Sequence, residues 1–172
     1  YYFINSSDHN TSEKYYFKSN ESLPKPKMVR KREKGIIYSV SSWGGYFYIH
    51  TNKGAEDFKI ERSTDIEASK WEVFIPAKNE TMIGGLTFLK NWIIRSELNN
   101  ALDKIFVRDI NSNKEEELIF TDEEVYDGSI SHTQKDRNTD LIYISYSTPK
   151  TQARTYLYNL KTKEKKLVKE QV

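Results

Sequence analysis

The sequence contains no cysteine among its 172 residues, so structural disulfides and thiolate metal sites are excluded. We expect such a chain to work in a reducing compartment, which predicts a cytoplasmic location. No apolar run approaches the roughly 20 residues of a membrane-spanning helix, and the first ten residues lack the basic and apolar regions of a secretion signal. We therefore expect no membrane partner.

Histidine is scarce, with three residues in the chain. His9, His50 and His132 are widely separated, and none forms a pair at the spacing that places two ligands on one metal ion. Carboxylates occur in runs such as 115–117 and 122–124, which are typical of solvated turns. We expect neither a metal ion nor any other cofactor.

The pentapeptide Gly-x-Ser-x-Gly, which presents the nucleophile of an α/β-hydrolase, is also absent. Ser131 stands beside His132, but no second glycine follows, and neighbouring strand residues point to opposite faces of a sheet. The glycine pairs at 44–45 and 84–85 are followed neither by Lys-Ser/Thr nor by a helical pattern, so they predict turns or close packing instead of a phosphate loop. The sequence offers no catalytic residue.

Charges of the two signs are nearly balanced, with 27 basic and 25 acidic residues. This mixture does not favour binding to a phosphate backbone, and we expect no nucleic-acid partner. The one basic run, at 25–34 (KPKMVRKREK), predicts an exposed outer strand whose cations discourage edge pairing.

Short runs of aromatic and β-branched residues, which favour strands, are abundant and recur in a fixed order. In one series the steps are 45, 46 and 49 residues, if the following positions are equivalent: Phe3, Tyr48, Ile94 and Tyr143. Another series recurs at steps of 46, 44 and 49 residues, in pairs that begin at Met28, Phe74, Leu118 and Leu167. Their agreement indicates a repeated unit.

A pitch of about 44 to 50 residues with four strands per unit is typical of a β-propeller. We predict an all-β protein, an incomplete β-propeller of about four blades, each a four-stranded antiparallel sheet, with the first blade lacking its inner strand. The approximate blades are 1–34, 35–80, 81–122 and 123–172. A β-sandwich is the alternative, and the period-two alternation of apolar residues argues against helices, so segment 63–70 is expected to be a loop.

The strand type that opens a unit occurs three times, from Ile36, Gly84 and Gly128, and contains small residues. Small residues suit the crowded strand nearest to the axis of a propeller. The residues nearest to a central funnel are therefore predicted to be Tyr38, Ser39, Leu86, Thr87, Ser129 and Ser131. The three tryptophans, which differ in position within their units, predict packing between blades instead of ligand stacking.

Particular residues resemble those of a known family. The segment 46–60 (YFYIHTNKGAEDFKI) is similar to two strands and a turn of the oligopeptidase B branch of the prolyl oligopeptidases, although that branch usually has Arg at the position of His50 and Asn at that of Asp57. The similarity continues in order through 71–76 (WEVFIP), 92–97 and 146–162, and it extends from about Lys25 to the end of the chain.

In that family a seven-bladed propeller caps an α/β-hydrolase domain and restricts substrates to short peptides, and the oligopeptidase B branch cleaves after Lys or Arg. The resemblance implies a fragment that corresponds to the last four blades. Its implied partners are the α/β-hydrolase domain, the remaining blades and short peptide substrates. The catalytic triad belongs to the hydrolase domain, so no catalytic residue is carried over to this chain.

Two functions follow from these observations. The leading hypothesis is a substrate-gating propeller portion of a cytoplasmic serine oligopeptidase, inactive by itself. The alternative is a free-standing propeller-like module for protein interaction, while a carbohydrate-binding or glycosidase propeller has no supporting motif. A fragment would expose apolar blade faces, and we therefore expect self-association.

Overall fold

The computed structural model describes residues 1–132 and 137–171, except for the side chain of His132. Throughout these ranges the regular secondary structure is β, in 15 strands that form four antiparallel sheets. No helix in the described part of the chain is long and apolar enough to cross a membrane. The chain divides into two compact units, Tyr1–Ile83 and Gly84–Val172.

Each sheet contains strands in the order in which they follow one another along the chain. The first sheet consists of β1 (Tyr2–Ser7), β2 (Ser12–Phe17) and β3 (Lys27–Arg30). The second consists of β4 (Tyr38–Trp43), β5 (Tyr46–Thr51), β6 (Lys59–Ser63) and β7 (Glu72–Ile75). The third consists of β8 (Thr81–Leu89), β9 (Trp92–Asn99), β10 (Leu102–Asp109) and β11 (Glu115–Glu117). The fourth consists of β12 (Asp127–His132), β13 (Leu141–Ser147), β14 (Arg154–Asn159) and β15 (Lys165–Glu170).

This architecture confirms the predicted fold, a three-stranded first sheet followed by three four-stranded sheets. Tight turns make such up-and-down sheets possible. Gly44 and Gly45 connect β4 to β5 with φ angles of 58° and 81°, the left-handed region that a two-residue hairpin turn requires. The glycine pair at 44–45 is therefore a turn, as the sequence indicated.

The first unit has a core between its two sheets. Tyr16 from the first sheet packs with Phe47 and Ile49 from the second, and all three side chains are buried. The connection between β6 and β7 closes this core with Ile66 and Trp71. This connection is irregular in structure, as predicted, but its apolar residues make it part of the core.

The second unit has a core between the third and fourth sheets. The third sheet contributes four buried side chains from its two middle strands: Trp92, Ile94, Ile105 and Val107. The fourth sheet contributes Ile142 and Ile144, which are 0% and 1% exposed. Tyr156 and Tyr158 pack against this cluster, so both middle strands of the fourth sheet contribute to the core.

The outer strand of three sheets carries a β-bulge. The pairing register shifts between Lys14 and Tyr15 in the first sheet, and at corresponding places in the second and fourth. In each case one residue of the outer strand is extra, namely Val29, Phe74 and Val168. The sequence alignment, which matched Phe74 with Met28, is therefore wrong by one residue, because the pairing makes Phe74 equivalent to Val29.

The basic run forms the outer strand β3 and its flanks, as predicted. Several of its cations pair with carboxylates of the same unit. Arg30 contacts Glu61 at 2.8 Å, and Arg32 contacts Asp8 at 3.0 Å. Much of the charge of this run is therefore engaged locally.

A buried ion network joins three strands of the third sheet. Arg95 on β9 is 3% exposed and donates to Glu97 at 2.8 Å and to both carboxylate oxygens of Glu115 at 2.9 and 3.0 Å. Burial alone would raise the pKa of Glu115, but the guanidinium groups of Arg95 and Arg108 hold this pKa below its ordinary value. Glu115 lies on β11, so the predicted turn at 115–117 is a strand, although Glu115 and Glu116 are exposed as expected.

We expect the substitution Arg95→Met to reduce the free energy of unfolding by about 3–5 kcal/mol, because it removes the cation that pairs with the buried carboxylate of Glu97 and with the more accessible one of Glu115. Urea unfolding measures this change. The matched control is Arg154→Met, which removes an exposed guanidinium paired with Glu170 and should change stability little. Equal effects of the two substitutions would contradict a special contribution from the buried network.

Candidate functional site

The candidate residues lie on the strands that open three of the sheets, β4, β8 and β12, and each strand is an edge of its own sheet. On these strands Ser39, Ser129 and Ser131 are exposed, whereas Leu86 and Thr87 are half-buried. Exposed strand edges bearing short hydroxyl side chains can offer backbone and side-chain hydrogen bonds to a peptide. The assignment of these residues to a funnel stays a prediction.

Tyr38, the sixth predicted residue, is 3% exposed and performs a structural task. Its hydroxyl donates to the carbonyl of Arg30 at 2.8 Å and accepts from the backbone N–H of Lys14 at 2.9 Å. Lys14 and Arg30 face each other beside the bulge of the first sheet. The tyrosine hydroxyl thus satisfies two backbone groups where the ladder is disrupted, and burial raises the pKa of Tyr38, which favours the protonated hydroxyl.

Gly84 illustrates the close packing expected on an opening strand. A Cβ atom at this position would lie 2.1 Å from Oγ of Ser96 and 2.9 Å from the carbonyl oxygen of the same residue. Both distances are too short for van der Waals contact, so β8 can approach β9 in this manner only with glycine at position 84. The pair 84–85 is part of a strand and is not a phosphate loop.

His50 is adjacent to the opening strand of the second sheet, since it pairs with Ser39. Its Nε2 lies 2.7 Å from the carbonyl oxygen of Ile83, and its ring stacks on Phe58 with centroids 4.6 Å apart. A hydrogen bond to this carbonyl requires a proton on Nε2. Burial lowers the pKa of His50, despite the opposing effect of the Ile83 carbonyl.

Trp71 is buried in the core of the first unit and Trp92 in the core of the second, which agrees with the predicted packing role. Trp92 also forms one wall of a cavity of about 470 Å³ within the second unit. Its Nε1 donates to Asp140 at 2.7 Å, and the ammonium of Lys163 lies 5.8 Å from its ring centroid. The tryptophan therefore contacts both an acidic and a basic side chain.

The ionisable groups of the described residues do not assemble into a metal site. Within residues 1–132 and 137–171 no group of three or more His, Cys, Asp or Glu side chains is arranged to hold a metal ion. The strongest cluster of charges is the network around Arg95, which the sequence analysis missed. Its signal was a charged pair, Arg95 and Glu97, at alternate positions of a strand that begins with three apolar residues, Trp92, Ile93 and Ile94.

We expect Tyr38→Phe to cost about 1–3 kcal/mol of stability, because the N–H of Lys14 and the carbonyl of Arg30 lose a shared hydroxyl partner without gaining another. Chemical denaturation measures the loss. Tyr2→Phe is the control, since the side chain of Tyr2 is 58% exposed and surface substitutions have small effects. A Tyr38→Phe protein as stable as wild type would show that the hydroxyl bridge is dispensable.

The lowered pKa of His50 predicts a pH dependence of stability. Because the unfolded chain binds a proton more readily than the folded chain, stability should fall as the pH drops below the unfolded value of about 6.5. We expect His50→Gln, which retains a donor for the Ile83 carbonyl, to reduce the loss of melting temperature between pH 7.5 and 5.5. His9→Gln should retain the wild-type loss, since His9 is exposed; the opposite pattern would contradict this assignment.

Comparison with known proteins agrees with the fold. Residues 1–171 match the sequence profile of the family described as prolyl oligopeptidase, N-terminal beta-propeller domain. Dipeptidyl aminopeptidase BI from Pseudoxanthomonas mexicana is 29% identical over 147 residues, which cover 84% of this chain and 20% of that protein.

Solved structures of oligopeptidase B are similar over nearly the whole chain. The enzyme from Trypanosoma brucei superimposes with a TM-score of 0.87 at 23% identity, covering 99% of this chain and 26% of that one. The enzyme from Leishmania major gives 0.83 at 17% identity, with coverages of 99% and 25%. At these identities the structures support the fold alone, and the chain spans about a quarter of their length. The profile match over residues 1–171 shows that this chain belongs to the prolyl oligopeptidase N-terminal β-propeller family.

Proposed function

We propose that this chain is the substrate-gating propeller portion of a cytoplasmic serine oligopeptidase that cleaves short peptides after Lys or Arg. The observation that carries the proposal is the match of residues 1–171 to the propeller domain of a peptidase family. The choice of branch rests on the resemblance of segment 46–60 to the oligopeptidase B branch. In this proposal the hydrolase domain of the parent protein cleaves the peptide bond.

The contribution of the propeller portion is selection by size. Its opening strands present exposed serines on free sheet edges, and the backbone of these strands is held in place by packed middle strands. A rigid edge with short side chains leaves room for an extended peptide, whereas a folded protein is too wide to pass along it. Selection of this kind requires no ionisable group in the propeller and acts before the chemical step.

The test uses the complete peptidase that carries this segment. We expect it to cleave a tripeptide substrate and a longer peptide after Lys or Arg, and to leave a folded protein intact. Ser129→Trp on β12 should reduce kcat/KM for the longer peptide more than for the tripeptide, because a bulky side chain narrows the path of the larger substrate. Ser112→Trp, in the turn before β11, is the matched control and should affect both substrates alike.

Several results would overturn parts of this proposal. A complete protein without peptidase activity would exclude the oligopeptidase assignment. Cleavage with no preference for Lys or Arg would exclude the oligopeptidase B specificity while leaving the gate intact. Equal effects of Ser129→Trp on short and long substrates would exclude gating by β12.

A further inference from the structure

The cavity of about 470 Å³ in the second unit lies between the third and fourth sheets. It is lined in part by two turns, one at 109–114 before β11 and one at 159–164 before β15, which we call the third-sheet turn and the fourth-sheet turn. Val107 and Leu160 contribute apolar surface, and Trp92 forms a wall. Sites for small ligands usually measure about 300–1,000 Å³, so this cavity is large enough to bind one.

The two turns have the same backbone construction. The side chain of Asp109 accepts the N–H groups two and three positions further on, at 2.8 and 3.3 Å, and that of Asn159 does so at 2.9 and 3.1 Å. Four positions after these residues the backbone is left-handed in both turns, with φ angles of 56° at Asn113 and 65° at Lys163. Asparagine adopts this conformation readily, whereas lysine does so at an energetic cost. The fold of the turn therefore gives no reason for a lysine at position 163.

The side chain of Lys163 reaches from the fourth sheet to the third. Its ammonium forms an ion pair with Glu116 on β11 and lies 5.8 Å from the ring centroid of Trp92. Burial lowers the pKa of Lys163, and the carboxylate of Asp109 opposes this effect. The ammonium thus occupies a position where an aromatic ring and two carboxylates attract a cation.

This ion pair is open to competition from a ligand. The side chains of Lys163 and Glu116 are 45% and 56% exposed, and exposed ion pairs contribute little to stability because water solvates both charges. A second cation can therefore displace the ammonium at small cost and use the same ring and carboxylates. A guanidinium group is best suited to this, since it stacks on aromatic rings, matches the geometry of carboxylates and is less strongly hydrated than an ammonium.

We propose that this cavity binds the guanidinium group of an arginine side chain, which displaces the ammonium of Lys163 and lies against Trp92, Glu116 and Asp109. Lys163 is then the internal occupant of a cation site, which explains a lysine in a backbone conformation where the third-sheet turn has asparagine. All residues of the site belong to the second unit. The identification of the natural ligand as a peptide rests on the proposed function, whereas the cation site does not.

The test uses the complete protein that carries this segment, with butylguanidinium as the probe and butylurea as its uncharged counterpart. Acetylation of lysines, followed by peptide mass spectrometry, measures the accessibility of the Lys163 ammonium. We expect saturating butylguanidinium to raise the acetylation rate of Lys163 about fivefold, because the protection given by an exposed ion pair is lost. Lys161, in the same turn, should keep its rate, and butylurea should change neither.

Two substitutions take their residues from the other turn and so preserve the backbone. Lys163→Asn removes the internal competitor and should tighten butylguanidinium binding about fivefold in calorimetry, whereas Lys161→Asn should leave it unchanged. Asp109→Asn keeps an oxygen for the turn N–H groups, and in combination with Glu116→Gln it should weaken binding about tenfold because two carboxylates are lost. Asp122→Asn, at an exposed position outside the cavity, is the control for lost charge. Melting curves establish that each variant is folded.

Three outcomes would overturn the proposal. An acetylation rate of Lys163 that does not respond to butylguanidinium would show that the ammonium is not displaced. Equal acceleration by butylurea would show that the site does not recognise charge. Equal affinities of wild type and the doubly substituted protein would place the binding elsewhere. A complete protein without peptidase activity would exclude the proposed function and leave the cation site intact, because acetylation requires no cleavage.

Discussion

Face-to-face packing of sheets is the constraint on which the rest of this structure depends. The middle strands carry apolar residues on both faces of the sheet, so one neighbouring sheet can cover only half of their apolar surface. In the second unit this requirement is met by Ile94 on one sheet and by Ile142 and Ile144 on the next, all nearly inaccessible to solvent. Strand order, turn positions and the connection that carries Trp71 all serve this stacking.

Polar groups that the stacking buries must find partners within the same unit. The hydroxyl of Tyr38 satisfies backbone groups beside a bulge, and the guanidinium of Arg95 is shared by two carboxylates. His50 hydrogen-bonds to the carbonyl of Ile83, and burial favours its uncharged ring. Each arrangement allows a polar side chain to occupy a position that would otherwise need an apolar one.

The same constraint separates the parts that hold the fold together from those available for function. Middle strands are committed to packing, whereas opening strands leave one backbone edge and several short side chains accessible, as at Ser39 and Ser129. The match of residues 1–171 assigns the chain to the prolyl oligopeptidase propeller family, and the proposed substrate gate would use such edges.

The sequence by itself determined the strand order, the number of sheets and the family, because alternating residues such as Phe47 and Ile49 and a regular pitch are local properties of the chain. Only the tertiary structure decided the register at Phe74, because strand pairing and not apolar periodicity identifies Val29 as its equivalent. It also decided that Tyr38 is buried and that Glu115 belongs to a strand and an ion network. Burial and pairing of these side chains depend on residues far away in sequence, and no local pattern contains that information.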